Sequence, residues 1–169
     1  MRLSNRASRR FPAISWRGIL PGLALLLGAA CAPQLSVYTG EKIHYLDVIV
    51  TGTPELNRGE DGEAHPVILR LYELTSATNF QRSIPTALWE DDDRALGDEY
   101  IDKQVLILQP GEEQRLQMGL NAATKFVGVA ANFSRPDAAG RWREVYPVSP
   151  RSRQLRVVVR EDQLAIQGR

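Results

Sequence analysis

The 169-residue chain holds a single cysteine, Cys31, at the end of an apolar stretch, in LALLLGAACAPQ (Leu23 to Gln34). A lone thiol makes no disulfide within its own chain and lacks the second cysteine of a C-x-x-C metal or redox site. Three roles remain: a buried apolar filler, a reactive thiol, or a processing site. The two histidines, His44 and His65, have no second ligand at metal spacing, so no metal is expected. The acidic run Glu90–Asp93 has oxygens enough for calcium but lacks the spaced ligands and central glycine of an EF-hand loop. It reads as a solvated acidic cap. The chain has no G-x-S-x-G, no P-loop and no G-x-G-x-x-G, so no cofactor or catalytic residue is expected and it does not read as an enzyme. Trp89 and Trp142 read as packing residues rather than ligand stackers.

The flanks of Cys31 choose among the three roles. Arg2, Arg6, Arg9, Arg10 and Arg17, with no acid among them, precede the apolar segment Gly18 to Ala30, and Gly28, Ala29 and Ala30 lead into the cysteine. A basic flank, an apolar core and a small-residue site make a bacterial secretory signal. The core is shorter than the ~20 apolar residues that span a bilayer, and Pro21 interrupts it. A signal that ends in small residues and then cysteine resembles the lipobox of bacterial lipoproteins, although Gly28 stands where leucine is usual. The resemblance implies cleavage after Ala30, a diacylglycerol on the Cys31 thiol and acylation of the new amino group. Two or more acyl chains anchor a protein stably, whereas one is marginal. Ala32 is not the aspartate that resembles an inner-membrane retention signal, so the expected location is the periplasmic face of the outer membrane. The chain then divides into a signal at 1–30, a lipidated cysteine and tether at 31–42, and a folded domain at 43–169.

Of the 21 basic residues, five fall before Cys31, so the mature chain sets 16 against 20 acids, a formal −4. That balance argues against nucleic acid, whose binders carry a basic stripe. The mature length suits one domain with a hydrophobic core of its own.

The elements that must carry any site are strands. Period-two alternation runs through HYLDVIVTG, with Leu46, Val48 and Val50 on one face, and through EQRLQMGL, with Leu116, Met118 and Leu120 inward. It recurs in KFVGVAANF (Val127, Val129, Ala131, Phe133) and QLRVVVRED (Leu155, Val157, Val159). VILRLYEL is apolar enough for burial on both faces, and VLILQ reads as a core strand. WREVYPV carries Pro147, which suits an edge or a bulge, and LAIQ offers a short eighth strand. QPGEE places Pro110 and Gly111 at the centre of a type II turn. Seven or eight short strands at even spacing predict an all-β sandwich.

Two segments depart from this pattern. Thr51 to Pro66, TGTPELNRGEDGEAHP, keeps no period and reads as a long exposed loop, a length at which loops are often functional. Thr75 to Gly97 reads as a small helical excursion, with Ser76 as cap of a first helix and Pro85 opening a second over Leu88 and Trp89.

The succession PVILRLYELTSATNF, ALWEDDDRALG, VLILQPGEEQRLQMGL, KFVGVAANF and WREVYPV resembles the outer-membrane lipoprotein of the type VI secretion system, the TssJ family. The resemblance covers about Leu46 to Val159. It implies a transthyretin-like β-sandwich of seven to eight strands with a small helical insertion, tethered through Cys31. It also implies binding to the periplasmic C-terminal region of the inner-membrane protein TssM, which links the two membranes. In that family the loop between the first two strands touches the partner. By position that is Thr53 to Pro66, with Leu56, Asn57, Arg58, Glu60 and Asp61 as candidate contacts. Two other readings stay open: a transthyretin-like ligand carrier or hydrolase, because fold does not dictate function, and a pilotin or chaperone for another secretion system.

Overall fold

The computed structural model describes residues 42–135 and 141–168. The signal, Cys31 and the tether up to residue 41 lie outside the described residues. Eight strands form, as the alternation predicts: β1 Lys42–Gly52, β2 Val67–Leu74, β3 Tyr100–Leu108, β4 Glu113–Asn121, β5 Phe126–Ala131, β6 Arg143–Pro147, β7 Gln154–Val159 and β8 Leu164–Gly168. They make two four-stranded sheets, ordered β4-β1-β7-β8 and β3-β2-β5-β6. The β1–β7 pair is parallel and the other pairs are antiparallel.

Register decides which side chains meet between the sheets. Leu46, Val48 and Val50 of β1, Met118 and Leu120 of β4, and Leu155, Val157 and Val159 of β7 face inward and are buried. Opposite them lie Val67, Leu69 and Leu71 of β2 and Val127, Val129 and Ala131 of β5. Burying each large apolar side chain contributes about 1.5–3 kcal/mol, so this double layer dominates stability. Pro147 ends β6, an edge strand, where its missing N–H costs no ladder bond. At the β3–β4 turn Glu112 N donates to Gln109 O at 3.1 Å and Gly111 has φ 73°, as a type II turn requires.

Three short helices, α1 Thr78–Arg82, α2 Pro85–Glu90 and α3 Asp92–Leu96, followed by a 3₁₀ turn at Gly97–Glu99, cover the outer face of β2 and β5. This is why β2 is buried on both sides over Leu71 to Leu74. Phe80 packs on Tyr72 with ring centroids 5.7 Å apart and sits over Gly128, where a side chain would collide with it. Arg70 lies 4.3 Å over the Trp89 ring and donates to Leu88 O at 2.9 Å.

Three expectations need correction. Val105 to Leu108 of VLILQ fall in β3, an edge strand rather than a core one, and Val105 and Ile107 are exposed. The acidic run is not wholly solvated. Asp92 is buried and takes bonds from Lys103 Nζ at 2.6 Å and from Arg70 Nη1 and Tyr72 OH, each at 3.1 Å. Burial pushes the Asp92 carboxyl pKa up, but the Lys103 hydrogen bond and charge, aided by Tyr72 and Arg70, outweigh it and the net direction is down. Burial drives the Tyr72 hydroxyl well above its ordinary value. Finally, Ser76 makes no N-cap of α1; Glu99 reaches across and accepts from Asn79 N at 2.8 Å. The other end of α1 is held by the Arg143 guanidinium, which donates to Gln81 O and Ser83 O.

Candidate partner-binding loop

Strand direction separates the two ends of the sandwich. β1 runs from Lys42, where the chain enters, to Gly52, where residues 53–66 begin. Eleven residues at ~3.3 Å each put roughly 35 Å between those points. Because β2, β6 and β8 start at the far end and β3, β5 and β7 finish there, residues 109–112, 132–135 and 160–163 surround the 53–66 loop.

The sequence presents the whole loop as exposed; the structure buries two of its residues. Leu56 is fully buried within the core cluster. Asn57 is 4% exposed and has φ 47°, in the left-handed region that asparagine tolerates better than most residues. Its side-chain amide donates to Pro66 O at 2.8 Å, and its carbonyl oxygen accepts from Ser134 N at 2.7 Å. Its main-chain N donates to Arg160 O at 3.3 Å, and His65 N donates to Leu56 O at 3.0 Å, closing the segment on itself. A loop with its ends this close, packed by its own side chains, is an Ω-type loop.

The outer part is tied by polar contacts. Gly59 N donates to Glu63 O at 2.9 Å. Asp61 Oδ1 accepts from Glu63 N at 3.0 Å and from His65 Nε2 at 3.1 Å. The His65 hydrogen bond, with the Glu63 N–H, holds the Asp61 carboxyl below the usual carboxylate value. Arg58 donates to Gly62 O and stands 3.5 Å from Glu161, a surface pair of small energetic weight. Arg135 donates to Arg58 O at 3.1 Å and to Gly59 O at 3.4 Å.

The five candidate residues therefore divide. Leu56 and Asn57 are turned into the fold and set the loop's position. Arg58 is part-exposed, and Glu60 and Asp61 face solvent. Ser134, Arg135, Arg160 and Glu161 join the site without any sequence signal; Ser134 bonds Asn57 across 77 residues, and only the pairing of β5 with β2 and of β7 with β1 brings those segments near. Of the two histidines, His65 serves the loop. His44 bonds Ser152 O at 2.6 Å at the opposite end.

Residues 44–164 match the family described as T6SS-SciN: Type VI secretion lipoprotein, VasD, EvfM, TssJ, VC_A0113. Comparison with curated proteins gives no match. Among solved structures, the T6SS lipoprotein TssJ1 from Pseudomonas aeruginosa is 30% identical at a TM-score of 0.69, over 74% of this chain and 95% of its own. A chain of a type VI membrane complex is 28% identical at a TM-score of 0.67, over 74% and 98%. A chain in the structure of the T6SS protein TssM C-terminal domain (869–1107) from EAEC is 26% identical at a TM-score of 0.65, also over 74% and 98%. The family match runs from His44, the third residue of β1, to Leu164 at the start of β8 and takes in the whole loop. With that span and a TssJ structure superposing on the same sandwich, the chain belongs to the type VI secretion lipoprotein family of TssJ.

Proposed function

We propose that the chain is an outer-membrane anchor of a type VI secretion membrane complex, lipidated on Cys31 and binding the periplasmic C-terminal region of TssM through the 53–66 end. The observation that carries this reading is the polarity of the domain. The chain enters at Lys42, and the pinned loop lies roughly 35 Å away at the other end of β1. A membrane tether at one end leaves the loop end free to face the periplasm. Residues 31–42 add at most about 40 Å of reach, at ~3.3–3.6 Å per residue. The relatives drawn from a type VI membrane complex and from a TssM structure support the choice of partner.

The mechanism is mechanical rather than catalytic. Acyl chains hold the domain at the membrane, the rigid sandwich carries load, and the pre-ordered loop binds without first paying for its own ordering. Several copies on one assembly raise the effective concentration of weak contacts. The ligand-carrier reading is less favoured because the space between the sheets is filled by leucine and valine side chains.

Two measurements test the proposal. Cys31→Ser is expected to move the protein from the outer-membrane to the soluble periplasmic fraction; retention in the membrane would refute lipid anchoring at this residue. The mature chain should bind the TssM C-terminal region in biolayer interferometry, and Arg58→Glu with Glu60→Lys should weaken that binding about tenfold. Absence of binding by the unaltered chain would overturn the partner assignment.

A further inference from the structure

The outer face of the β3-β2-β5-β6 sheet is only partly covered by the helices. Beyond them, Ile68, Val105 and Ile107 are 39%, 56% and 57% exposed. They form one strip: Ile68 is directly opposite Ile107 in the β2–β3 register, and Val105 is the next residue on the same face. Contiguous apolar side chains on a surface mark interaction sites more often than isolated ones do.

The strip borders an open edge. Among the described residues β3 pairs with β2 alone. Ile68 O accepts from Asn132 N, on the β5 side, so the main-chain groups of its partner Ile107 point away from β2. The Ile107 carbonyl accordingly accepts from the Gln114 side-chain amide at 2.7 Å, which stands where a neighbouring strand's N–H would be. By alternation the N–H and C=O of Val105 point the same way. Natural edge strands are usually guarded by charge, proline or a bulge. Val105 to Leu108 carries none of these, and Lys103, two residues back, is held by Asp92 at 2.6 Å.

Charge marks one end of the strip. The loop that leads to Val67, opposite Leu108, carries Glu55, Glu60, Asp61 and Glu63 against Arg58, with Arg135 bonded to its main chain, and the turn that leaves Leu108 carries Glu112, so acids outnumber bases at this end. We infer that the β3 edge and this strip receive an extended segment of the partner, added as a fifth strand, with apolar residues at alternate positions and basic residues at the end beside Leu108. The inference rests on the TssM reading above and names the kind of segment TssM would contribute. A strand covers the apolar strip and meets the outward main-chain groups together, its own N–H replacing the Gln114 amide on Ile107 O, the mode of β-augmentation. A lipid tail brings no N–H, and a helix has already used its own. A second copy of this chain fits poorly, because β3 carries one base, Lys103, and Asp92 already holds it.

The test uses the mature chain and the TssM C-terminal region. Amide exchange at Val105 and Ile107 should slow at least tenfold in the complex. Val105→Lys and Ile107→Lys, both at exposed positions, should each weaken binding at least tenfold while keeping the unaltered melting temperature. If the unaltered chain binds and Arg58→Glu with Glu60→Lys weakens it, but exchange and affinity at β3 do not change, the strand inference is wrong and the partner assignment stands. If the unaltered chain does not bind TssM, both fall. If the lysine variants abolish self-association in sedimentation and leave TssM affinity unchanged, the occupant is a second copy and the inference is overturned.

Discussion

Asn57 offers the sharpest test of how the loop is held. Asn57→Ala removes the bond to Pro66 O at 2.8 Å and the bond from Ser134 N at 2.7 Å. Each costs about 1 kcal/mol at a site with some access to water, so about 2 kcal/mol together. Alanine at φ 47° adds about 1 kcal/mol of steric strain. The total of about 3 kcal/mol lowers the melting temperature of a domain this size by roughly 9–15 °C. Asn57→Gly loses the same bonds without the strain, partly offset by its freer unfolded chain, and should stay about 0.5–1 kcal/mol above alanine. Thermal melts by circular dichroism on the mature chain read both values, and biolayer interferometry reads TssM binding, expected to fall at least tenfold for alanine. A melt within 2 °C of the unaltered chain, or glycine melting below alanine, would refute the account of the loop frame. Lost stability with unchanged affinity would show that the partner does not read that frame.

What the sequence reveals about this molecule follows from the range of each interaction. The alternation in KFVGVAANF and QLRVVVRED states which residues face inward, since period two is a property of the strand itself. Pro110–Gly111 and Pro85 act within four residues and form the turn and the helix start that they predict. VLILQ shows the limit: its composition is that of a core strand, but sheet order is settled by β2 pairing with β5 on its other side, and β3 is left at the rim. Asp92 fails for the same reason. WEDDD reads as solvated, yet its partners Arg70 and Lys103 are 22 residues before and 11 after. Ser76 is an adequate local cap that Glu99, arriving from the end of the insertion, replaces. In the loop, composition identifies the segment, whereas the division between buried Leu56 and Asn57 and exposed Glu60 and Asp61 depends on Ser134 and Arg160, which no local pattern foretells.

Two further outcomes probe the insertion that covers β2. Gly128→Ala places a Cβ 2.9 Å from Phe80 Cζ and 3.0 Å from Leu74 Cδ1, and overpacking of about 1–3 kcal/mol should lower the melting temperature by roughly 3–15 °C. Phe80→Leu should recover part of that loss in the double variant, and no recovery would place the strain elsewhere. Asp92→Asn leaves Arg70 and Lys103 facing a neutral group in a part-buried site. Because both cations keep some access to water, the cost should fall below the 3–5 kcal/mol of a fully buried broken pair, at about 2 kcal/mol. The pH dependence distinguishes this ionic account from a loss of packing. The folded-state pKa of Asp92 is depressed, so its contribution is fully present above the unfolded carboxylate value of about 3.9 and is lost as pH falls through the lower folded value. The melting-temperature gap between the unaltered chain and Asp92→Asn should therefore be constant from pH 7 to about 5 and close on further acidification. A gap that does not narrow at all as pH falls below the unfolded carboxylate value would mean that Asp92 contributes by shape and not by charge.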